Sequence, residues 1–403
     1  MNDPAAARAG TALLLTGGGA RAAYQVGVLQ AVAVLHRRAR TGARGTPFDI
    51  IVGTSAGALN AAALACGADR FSATVARLSR IWAGLHSHQV YRADVLDALR
   101  ASARWLGLMS AGLLGARWAA PPPRALLDNS PLGALLRCQL PLERLPGLLA
   151  AGHLRALAVT SSCYSSGEHV TFCHAVTGLQ DWERPGRRAV HGPIGVDHLM
   201  ASSAIPFVFP ATRIVTEGQP GYHGDGSMRQ VTPIAPAIHL GAQRVLVIGV
   251  GRAEEPAQAP PAGDPGYPTL EQVASHVLSG IFLDTLAGDA GHLRRINDTL
   301  SLIAPERRAE TPLRPVELLV ITPSRRLDEV AARHRHHLRS SVRALLASLG
   351  LRGGAGTPHP SALAAYLLFE GEFTRELMRL GRSDALAQGA AIGRFFGWPE
   401  SLE

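Results

Sequence analysis

Three short segments carry the residue types that hydrolytic chemistry needs. Residues 53–57 have the sequence GTSAG, residues 17–19 are three consecutive glycines, and Asp225 is followed by Gly226. A serine hydroxyl becomes an effective nucleophile when a base removes its proton. Backbone N–H groups of a glycine loop can stabilise the oxyanion that this attack creates. These residues could therefore supply the nucleophile, the base and the oxyanion donors of an acyl-transfer reaction.

The local sequence around Ser55 predicts a strand, a sharp turn and a helix. An apolar run at 48–52 precedes the motif, and a helix-forming run at 58–65 follows it. This is the order that a nucleophile elbow requires. Gly53 and Gly57 flank the serine because side chains there would clash across the turn. The helix N-terminus adds N–H groups and the positive end of a dipole. An ordinary strand-to-helix turn is the alternative, and the flanking elements favour the nucleophile.

The glycine run lies between a predicted strand at 11–16 and a helical pattern from Ala22 to about Arg38. Consecutive glycines can point their N–H groups into one anion-binding concavity. A Walker A loop is excluded because the chain contains no lysine. A dinucleotide site is disfavoured because Arg37 and Arg38 occupy the window where an acidic residue is needed. An oxyanion hole is the favoured interpretation, and a turn that only lets the first helix pack closely is the alternative.

Asp225 follows a strand-like segment at 212–215. An isolated Asp-Gly pair is usually a turn, and a carboxylate with a pKa near 3.9 is a weak base at neutral pH. Partial desolvation would raise the Asp225 pKa, and a hydrogen bond to Ser55 would orient the carboxylate.

A histidine could complete a triad, and His223 is the leading candidate because alternation along a strand puts it on the same face as Asp225. The α/β-hydrolase order places the histidine after the acid. His239, His276 and His292 follow Asp225 but lie in helix-like sequence. The sequence therefore favours a Ser-Asp dyad with His223 as a neighbour.

Taken together, these segments resemble the patatin-like phospholipase family. The resemblance covers roughly residues 10–250 and rests on blocks in the family's order, at residues 17–29, 53–61, 201–210 and 225–226. Residues 282–297 are similar to the C-terminal extension of bacterial members. The family commonly has Asp-Gly-Gly where this chain has Asp-Gly-Ser at 225–227. The carboxylate and the first glycine are nevertheless retained.

The resemblance implies a role for each matching residue. Ser55 would be the nucleophile, and Asp225 would be the base that takes its proton directly. The oxyanion hole would lie in the loop of Gly17, Gly18, Gly19 and Ala20. Arg21 would steady that loop or bind a phosphate, and Gly53, Gly57 and Gly226 would support the turns. A dyad of this kind implies no metal and no cofactor.

Alternating apolar and helical stretches predict an α/β fold with a mainly parallel central sheet sandwiched by helices. The predicted core strands lie at 12–16, 49–53, 155–160, 244–250 and 316–321, and 171–173 is expected to form a hairpin strand. Later helices are expected at about 270–300, 328–350 and 361–388.

The predicted catalytic domain spans 8–252 and contains a helical insertion at 71–149, a candidate lid. Residues 253–268 are expected to form a linker or exposed loop. A mostly helical extension with one strand, 269–403, is expected to pack on the catalytic domain. The insertion holds large apolar residues that could line an acyl groove, although packing on the core is the favoured interpretation. These residues are Trp82, Trp105, Leu106, Leu108, Met109, Leu113, Leu114 and Trp118.

The chain has a formal net charge of +9, and all its basic residues are arginines. Arginine binds phosphate as a rigid fork, and basic residues near an anionic membrane contribute roughly 1 kcal/mol each. We expect a lipid substrate and peripheral membrane contact. Nucleic-acid binding is disfavoured because no zinc-finger or RNA-binding signature is present.

The histidines at 334, 336 and 337 raise the question of a metal site. Because the chain has no HExxH motif, a solvated helix surface is the favoured interpretation of His334, His336 and His337.

Cys163 and Cys173 flank the predicted hairpin and could form a disulfide, although reduced thiols are the default for an intracellular chain. The sequence has no signal-peptide pattern at its start and no apolar run of about 18 residues. We therefore expect a cytoplasmic protein that contacts membranes peripherally.

The predicted function is a serine acyl hydrolase of phospholipids or lysophospholipids. The alternatives are a thioesterase or general carboxylesterase with the same dyad, and a non-catalytic lipid-binding protein.

Overall fold

A ten-stranded sheet forms the centre of the protein. The computed structural model describes residues 10–39, 44–92, 125–178, 182–251, 270–338, 340, 342–343 and 362–399. The strands are β1 (Gly10–Leu15), β2 (Ile50–Thr54), β3 (Ala156–Cys163), β4 (His169–Ala175), β5 (Glu183–Arg184), β6 (Arg187–His191), β7 (Thr212–Thr216), β8 (Gln219–Asp225), β9 (Ala242–Ile248) and β10 (Glu317–Ile321).

Five neighbouring strands in the order β10-β9-β1-β2-β3 form a parallel unit. Beyond β3 the sheet continues through β4, β6 and β5 with mixed directions. The end of β3 also pairs with β8, which forms a hairpin with β7. The predicted mainly parallel sheet is confirmed, and β3 with β4 forms the predicted hairpin. β8 brings its last residue, Asp225, beside Ser161 of β3.

Helices cover this sheet. They are α1 (Ala23–Arg38), α2 (Ala56–Ala65), α3 (Phe71–Ala83), α4 (Ser130–Gln139), α5 (Leu145–Ala150), α6 (Val196–Ser202), α7 (Ala235–His239), α8 (Leu270–Ser301), α9 (Leu327–Arg333), α10 (Ala362–Leu367), α11 (Gly371–Ala387) and α12 (Gly389–Phe396). None of the helices in the described ranges combines the length and apolar character that a membrane crossing needs.

Both faces of the central sheet are buried, which explains the continuous apolar runs of its strands. In β1, Leu13 and Leu15 belong to one hydrophobic cluster, while Ala12 and Leu14 belong to a second cluster on the opposite face. The chain after residue 270 contributes to the same structure, because β10 extends the sheet beside β9. Helix α11 also packs along α1, where the Tyr24 hydroxyl donates a hydrogen bond of 3.0 Å to Asp384.

Two predicted helices are shorter than expected. The helix expected at 361–388 divides into α10 and α11, and between them the Glu370 carboxylate accepts a hydrogen bond of 3.1 Å from the Ser87 N–H. The helix expected at 328–350 ends at Arg333, and a short 3-10 turn, Arg335–His337, follows. Residues 339, 341 and 344–350 of that prediction lie outside the described residues.

The structure does not contain the disulfide considered for Cys163 and Cys173, and both are buried cysteines. The strand register explains why, because Cys173 lies opposite Ala158 whereas Cys163 lies opposite His223. The two cysteines also face opposite sides of the sheet, in different hydrophobic clusters.

The proposed boundaries of the domains stay predictions. Residues 252–269, which include the expected linker, are outside the described part of the chain. So are residues 93–124, with Trp105, Leu106, Leu108, Met109, Leu113, Leu114 and Trp118 of the candidate lid.

Candidate active site

Ser55 lies at a strained turn between β2 and α2. Its backbone has φ 55° and ψ −131°, and a positive φ is rare for a residue with a side chain. Such a conformation costs roughly 1–3 kcal/mol and persists where the surrounding structure enforces it. Part of that enforcement comes from Gly57, where a β-carbon would overlap the backbone carbonyl oxygens of Leu15 and Thr16. Gly53 is the fourth residue of β2, and the turn is the predicted elbow.

The turn presents the Ser55 hydroxyl to Asp225. Ser55 Oγ donates a hydrogen bond of 2.6 Å to Asp225 Oδ2, although the two residues are 170 positions apart. The other carboxylate oxygen, Oδ1, accepts a hydrogen bond of 2.8 Å from the Ser227 N–H. Both carboxylate oxygens are therefore occupied, and the carboxylate is held in one orientation toward Ser55. Ser227, where the family commonly has glycine, supplies this backbone donor without needing its side chain.

Burial sets the basicity of Asp225. The residue is fully buried, and the loss of solvation raises its pKa to about 6, while the hydrogen bonds from Ser55 and Ser227 oppose that rise. A carboxylate with a pKa near 6 is ionised at neutral pH and is a much better proton acceptor than an exposed aspartate.

The end of α6 and the residues that follow it contact both the Ser55 turn and the Asp225 turn. Ser202 Oγ accepts a hydrogen bond of 2.9 Å from the Ser55 N–H, so the serine turn is fastened to α6. The Ser202 and Ala204 carbonyls accept hydrogen bonds of 3.1 and 3.0 Å from the N–H groups of Gly226 and Asp225. This segment therefore fixes the distance between Ser55 and Asp225.

The glycine loop lies beside Ser55. A β-carbon on Gly17 would be 3.0 Å from Ser55 Cβ, and Gly19 lines the same pocket as Ser55. The N–H groups of Gly17, Gly18, Gly19 and Ala20 donate no hydrogen bond to any residue in the described ranges. Buried N–H groups normally have partners, which makes these four the candidates for the predicted oxyanion hole.

Residues from the C-terminal part of the chain hold this loop. Gly19 has φ +56°, and a β-carbon there would overlap the Tyr366 carbonyl oxygen of α10. Two residues later, the buried Arg21 guanidinium lies 3.9 Å from the centre of the Tyr366 ring and 3.3 Å from Asp328 of α9. The resemblance implied that Arg21 either steadies the loop or binds a phosphate. These contacts support the first of these roles.

A buried hydrogen-bond chain connects the loop to three helices. Gln25 of α1 donates to the Thr16 carbonyl at 2.7 Å, and Asn60 of α2 donates to the Gln25 side chain at 2.9 Å. Trp82 of α3 donates to Asn60 at 2.8 Å. These hydrogen bonds fix the position of the end of β1 relative to α2.

His223 lies on β8 near Asp225 but is directed elsewhere. Its Nδ1 lies 2.9 Å from Ser161 Oγ, and among the described residues it makes no hydrogen bond with Ser55 or Asp225. Burial lowers the pKa of His223 to about 4, with smaller effects of His198 and Arg188. His223 is therefore a neutral neighbour in this arrangement.

His169 of β4 was not singled out by its sequence. Its Nε2 lies 3.0 Å from the Gly226 carbonyl, and burial lowers its pKa to about 4. A carbonyl only accepts, so Nε2 carries the hydrogen and a neutral His169 supports the turn after Asp225.

A largely apolar pocket extends from Ser55 along α2. It encloses about 1070 Å³, part of it open to solvent, and reaches Cys66 and Gly67 beyond the other end of the helix. Trp82, Leu132, Leu135 and Leu136 of the helical insertion line it. Arg77 and Arg144 lie at the far end, where they donate to the carbonyls of Gln139 at 2.5 Å and Cys66 at 2.8 Å.

Several supporting residues went unassigned in the sequence. Three of them, Ser202, Gln25 and Asn60, fall inside the blocks that carry the family resemblance. The blocks marked these positions but did not indicate what each side chain contacts. Asp328 and Tyr366 had no signal, because they are more than 300 residues from Arg21 and belong to ordinary helical sequence.

Residues 13–238, more than half of the chain, match the family described as patatin-like phospholipase. No curated protein sequence is similar enough to count as a match.

Two solved structures are distantly similar. VipD from Legionella pneumophila is 15% identical, with a TM-score of 0.32, and the alignment covers 92% of this chain and 67% of VipD. ExoU from Pseudomonas aeruginosa, solved in complex with SpcU, is 14% identical, with a TM-score of 0.26 and coverage of 89% and 76%. The extent of the family match establishes that this chain is a member of the patatin-like phospholipase family.

Proposed function

We propose that the protein is a serine acyl hydrolase that cleaves fatty-acyl esters of phospholipids or lysophospholipids through a Ser55–Asp225 dyad. Membership of a lipid-hydrolase family supports the general class. The observation that carries the specific proposal is the 2.6 Å hydrogen bond from Ser55 to the buried Asp225 carboxylate. The proposal is supported by the glycine-loop N–H groups, which have no partner among the described residues, and by the apolar pocket at the same serine.

In the first half-reaction, Ser55 Oγ attacks the ester carbonyl carbon and its proton passes to Asp225. The carbonyl oxygen becomes an oxyanion beside the N–H groups of the glycine loop. When the tetrahedral intermediate collapses, the bond to the leaving alcohol breaks and Asp225 returns the proton to that alcohol. The products are the alcohol and an acyl ester on Ser55.

The second half-reaction repeats these steps with water as the nucleophile. Asp225 takes a proton from water as its oxygen attacks the acyl carbon, and the oxyanion again lies beside the glycine loop. Collapse releases the fatty acid, and the proton returns to Ser55 Oγ. A base with a pKa near 6 suits both directions of transfer, because the carboxylate and the acid are close in free energy near neutral pH.

The length of the pocket supports a substrate whose long acyl chain binds there during acylation. Helix α2 has ten residues, and the pocket follows its whole length. At 1.5 Å per residue that distance is about 15 Å. An extended chain advances roughly 1.2 Å per single bond, so about a dozen carbons would fit along the helix.

The surface beside the Asp225 turn supports peripheral contact with a membrane. Tyr164 and Tyr222 are joined by a backbone hydrogen bond of 2.8 Å, and each has about half of its surface exposed, at 48% and 53%. Tyrosines with an apolar ring and a polar tip are common at membrane–water interfaces. The positive net charge of the chain would favour an anionic surface.

An active-site fluorophosphonate probe tests the proposal directly. The full chain is expected to be labelled, and peptide mapping is expected to find the label on Ser55. Hydrolysis of phosphatidylcholine, lysophosphatidylcholine, nitrophenyl esters and acyl-CoA of increasing chain length then distinguishes a phospholipase from a thioesterase or a general esterase. A folded protein that takes no label, or takes it at Ser202 or another serine, would contradict the proposed nucleophile.

The pH dependence of kcat/KM tests the base. We expect kcat/KM to rise with pH through a midpoint near 6 and then to level off, because Asp225 must be ionised to accept the proton. His223→Gln is expected to keep that midpoint, because His223 is neutral throughout this range and does not contact the dyad. If His223→Gln removes the midpoint or abolishes activity, the dyad is wrong and a triad is required.

A further inference from the structure

A histidine and glutamate cluster lies away from the proposed active site, where α9 ends and α11 begins. One potential ligand atom from each of His334, His337 and Glu372 lies within 4.8 Å of the others. The sequence favoured a solvated helix surface for these histidines. Instead, the chain leaves the helix at His334, and the side chains of His334 and His337 are only 15% and 27% exposed.

His334 is held with one ring nitrogen available. Its Nε2 forms a hydrogen bond of 2.7 Å with Glu376 Oε2, and the other oxygen of Glu376 lies 2.5 Å from Arg333. The remaining nitrogen, Nδ1, is buried and has no hydrogen-bond partner among the residues that the structure describes. Metal-binding histidines usually donate their second ring nitrogen to a carboxylate, which orients the ring and directs the free lone pair at the metal. Glu376 does this for His334.

Within the described part of the chain, His337 also has a buried ring nitrogen without a hydrogen bond. Its Nε2 lies 2.8 Å from Glu372 Oε2 without forming a hydrogen bond. Two imidazoles that approach a carboxylate with unsatisfied nitrogens form a donor set of two histidines and one glutamate. That set is used by zinc proteins, with the fourth position open to water.

We propose that His334, His337 and Glu372 bind a zinc ion that joins the end of α9 to the first turn of α11, with Glu376 positioning His334. Imidazole ligands favour Zn²⁺ over Mg²⁺ and Ca²⁺, which prefer oxygen. Zinc bonds of about 2.1 Å place tetrahedral ligand atoms roughly 3.4 Å apart. Glu372 is 62% exposed and can rotate to complete that geometry.

The proposed ion would stabilise the region that supports the glycine loop. Helix α9 carries Asp328, the ion-pair partner of Arg21, and α9 packs against both α10 and α11. A metal that binds the folded chain and not the unfolded chain raises stability with its concentration. The proposal concerns this structural role and does not depend on the hydrolase function.

Metal titration of the full chain, expressed without a polyhistidine tag and freed of metal by a chelator, tests this site. We expect one equivalent of Zn²⁺ to bind, Co²⁺ to give the visible absorption of a four-coordinate site, and Mg²⁺ to do neither. The unfolding temperature is expected to rise with the zinc concentration.

Variants identify the ligands. His337→Ala and Glu372→Gln are expected to abolish the Co²⁺ spectrum and the zinc-dependent thermal shift. Glu376→Gln should weaken zinc binding by roughly 10–100-fold, as for other residues that orient a ligand. His336→Ala is the matched control, because His336 belongs to the same turn and lies outside the cluster. Absence of zinc binding in the wild-type chain, or equal loss in His336→Ala and His337→Ala, would overturn the proposal.

Discussion

Asp225→Asn is expected to lower kcat/KM by roughly 10²–10⁴-fold, the range that a positioned general base contributes. The amide oxygen can still accept from the Ser227 N–H, and the amide nitrogen would donate to Ser55 Oγ, but the amide cannot accept the serine proton. Initial rates of ester hydrolysis, measured at pH 8 with folding checked by circular dichroism, give the ratio. Asp289→Asn is the matched control, since burial also raises the pKa of Asp289 and its carboxylate accepts a backbone hydrogen bond.

The same substitution should leave the protein more stable at pH 8. The folded state raises the Asp225 pKa from 3.8 to about 6, so the native protein holds this proton more tightly than the unfolded chain. The contribution of Asp225 to stability is therefore complete below pH 3.8 and is lost as the pH rises through 6. Above pH 6 the buried charge costs up to about 3 kcal/mol, which asparagine avoids. Wild-type activity in Asp225→Asn, or equal losses in both variants, would contradict the role of Asp225 as base.

Asp328→Asn is expected to destabilise the protein by about 3 kcal/mol, because it leaves the buried Arg21 cation without its charged partner. Arg21 is 2% exposed, and within the described residues its Nε and Nη2 atoms have no hydrogen-bond partner, so the Tyr366 ring is the other contact that compensates the charge. The turn after Gly19 should loosen as a result. We therefore expect kcat to fall by about tenfold, as partial loss of oxyanion stabilisation would give, with little change in KM.

Urea unfolding and steady-state kinetics measure these two effects. Glu329→Gln is the matched control, because Glu329 is the next residue of α9 but is 62% exposed and lies 3.9 Å from Arg326. Exposed pairs of this kind contribute between 0 and about 1 kcal/mol. If the two variants unfold at the same urea concentration and have the same kcat, the buried ion pair does not hold the glycine loop.

Local sequence was sufficient to predict the elements that carry the site. The GTSAG turn needs glycine on each side of Ser55 and a helix after it, and the structure contains this turn with α2 beginning at Ala56. Strand–glycine–helix order placed the glycine loop before α1 for the same reason. These features depend on backbone sterics and on short-range periodicity, which a sequence displays directly. The parallel sheet followed from apolar runs that are buried on both faces.

Contacts between distant parts of the chain could not be predicted from the local sequence. Cys163 and Cys173 flank a hairpin, but the register that sends them to opposite faces is set by the pairing of β3 with both β4 and β8. The break between α10 and α11 depends on Glu370 reaching Ser87. His334 and His337 looked like surface residues until the tight turn after α9 brought them to Glu372.

The sequence by itself determined which residues could be nucleophile, carboxylate and oxyanion loop, because glycine spacing and strand-to-helix order are local requirements. The tertiary structure decided how those residues are activated. Complete burial of Asp225 raises its pKa, Ser202 fastens the Ser55 turn, and Arg21 with Asp328 and Tyr366 braces the glycine loop. Desolvation and ion pairing depend on which distant segments come together, and that depends on the packing of the whole chain.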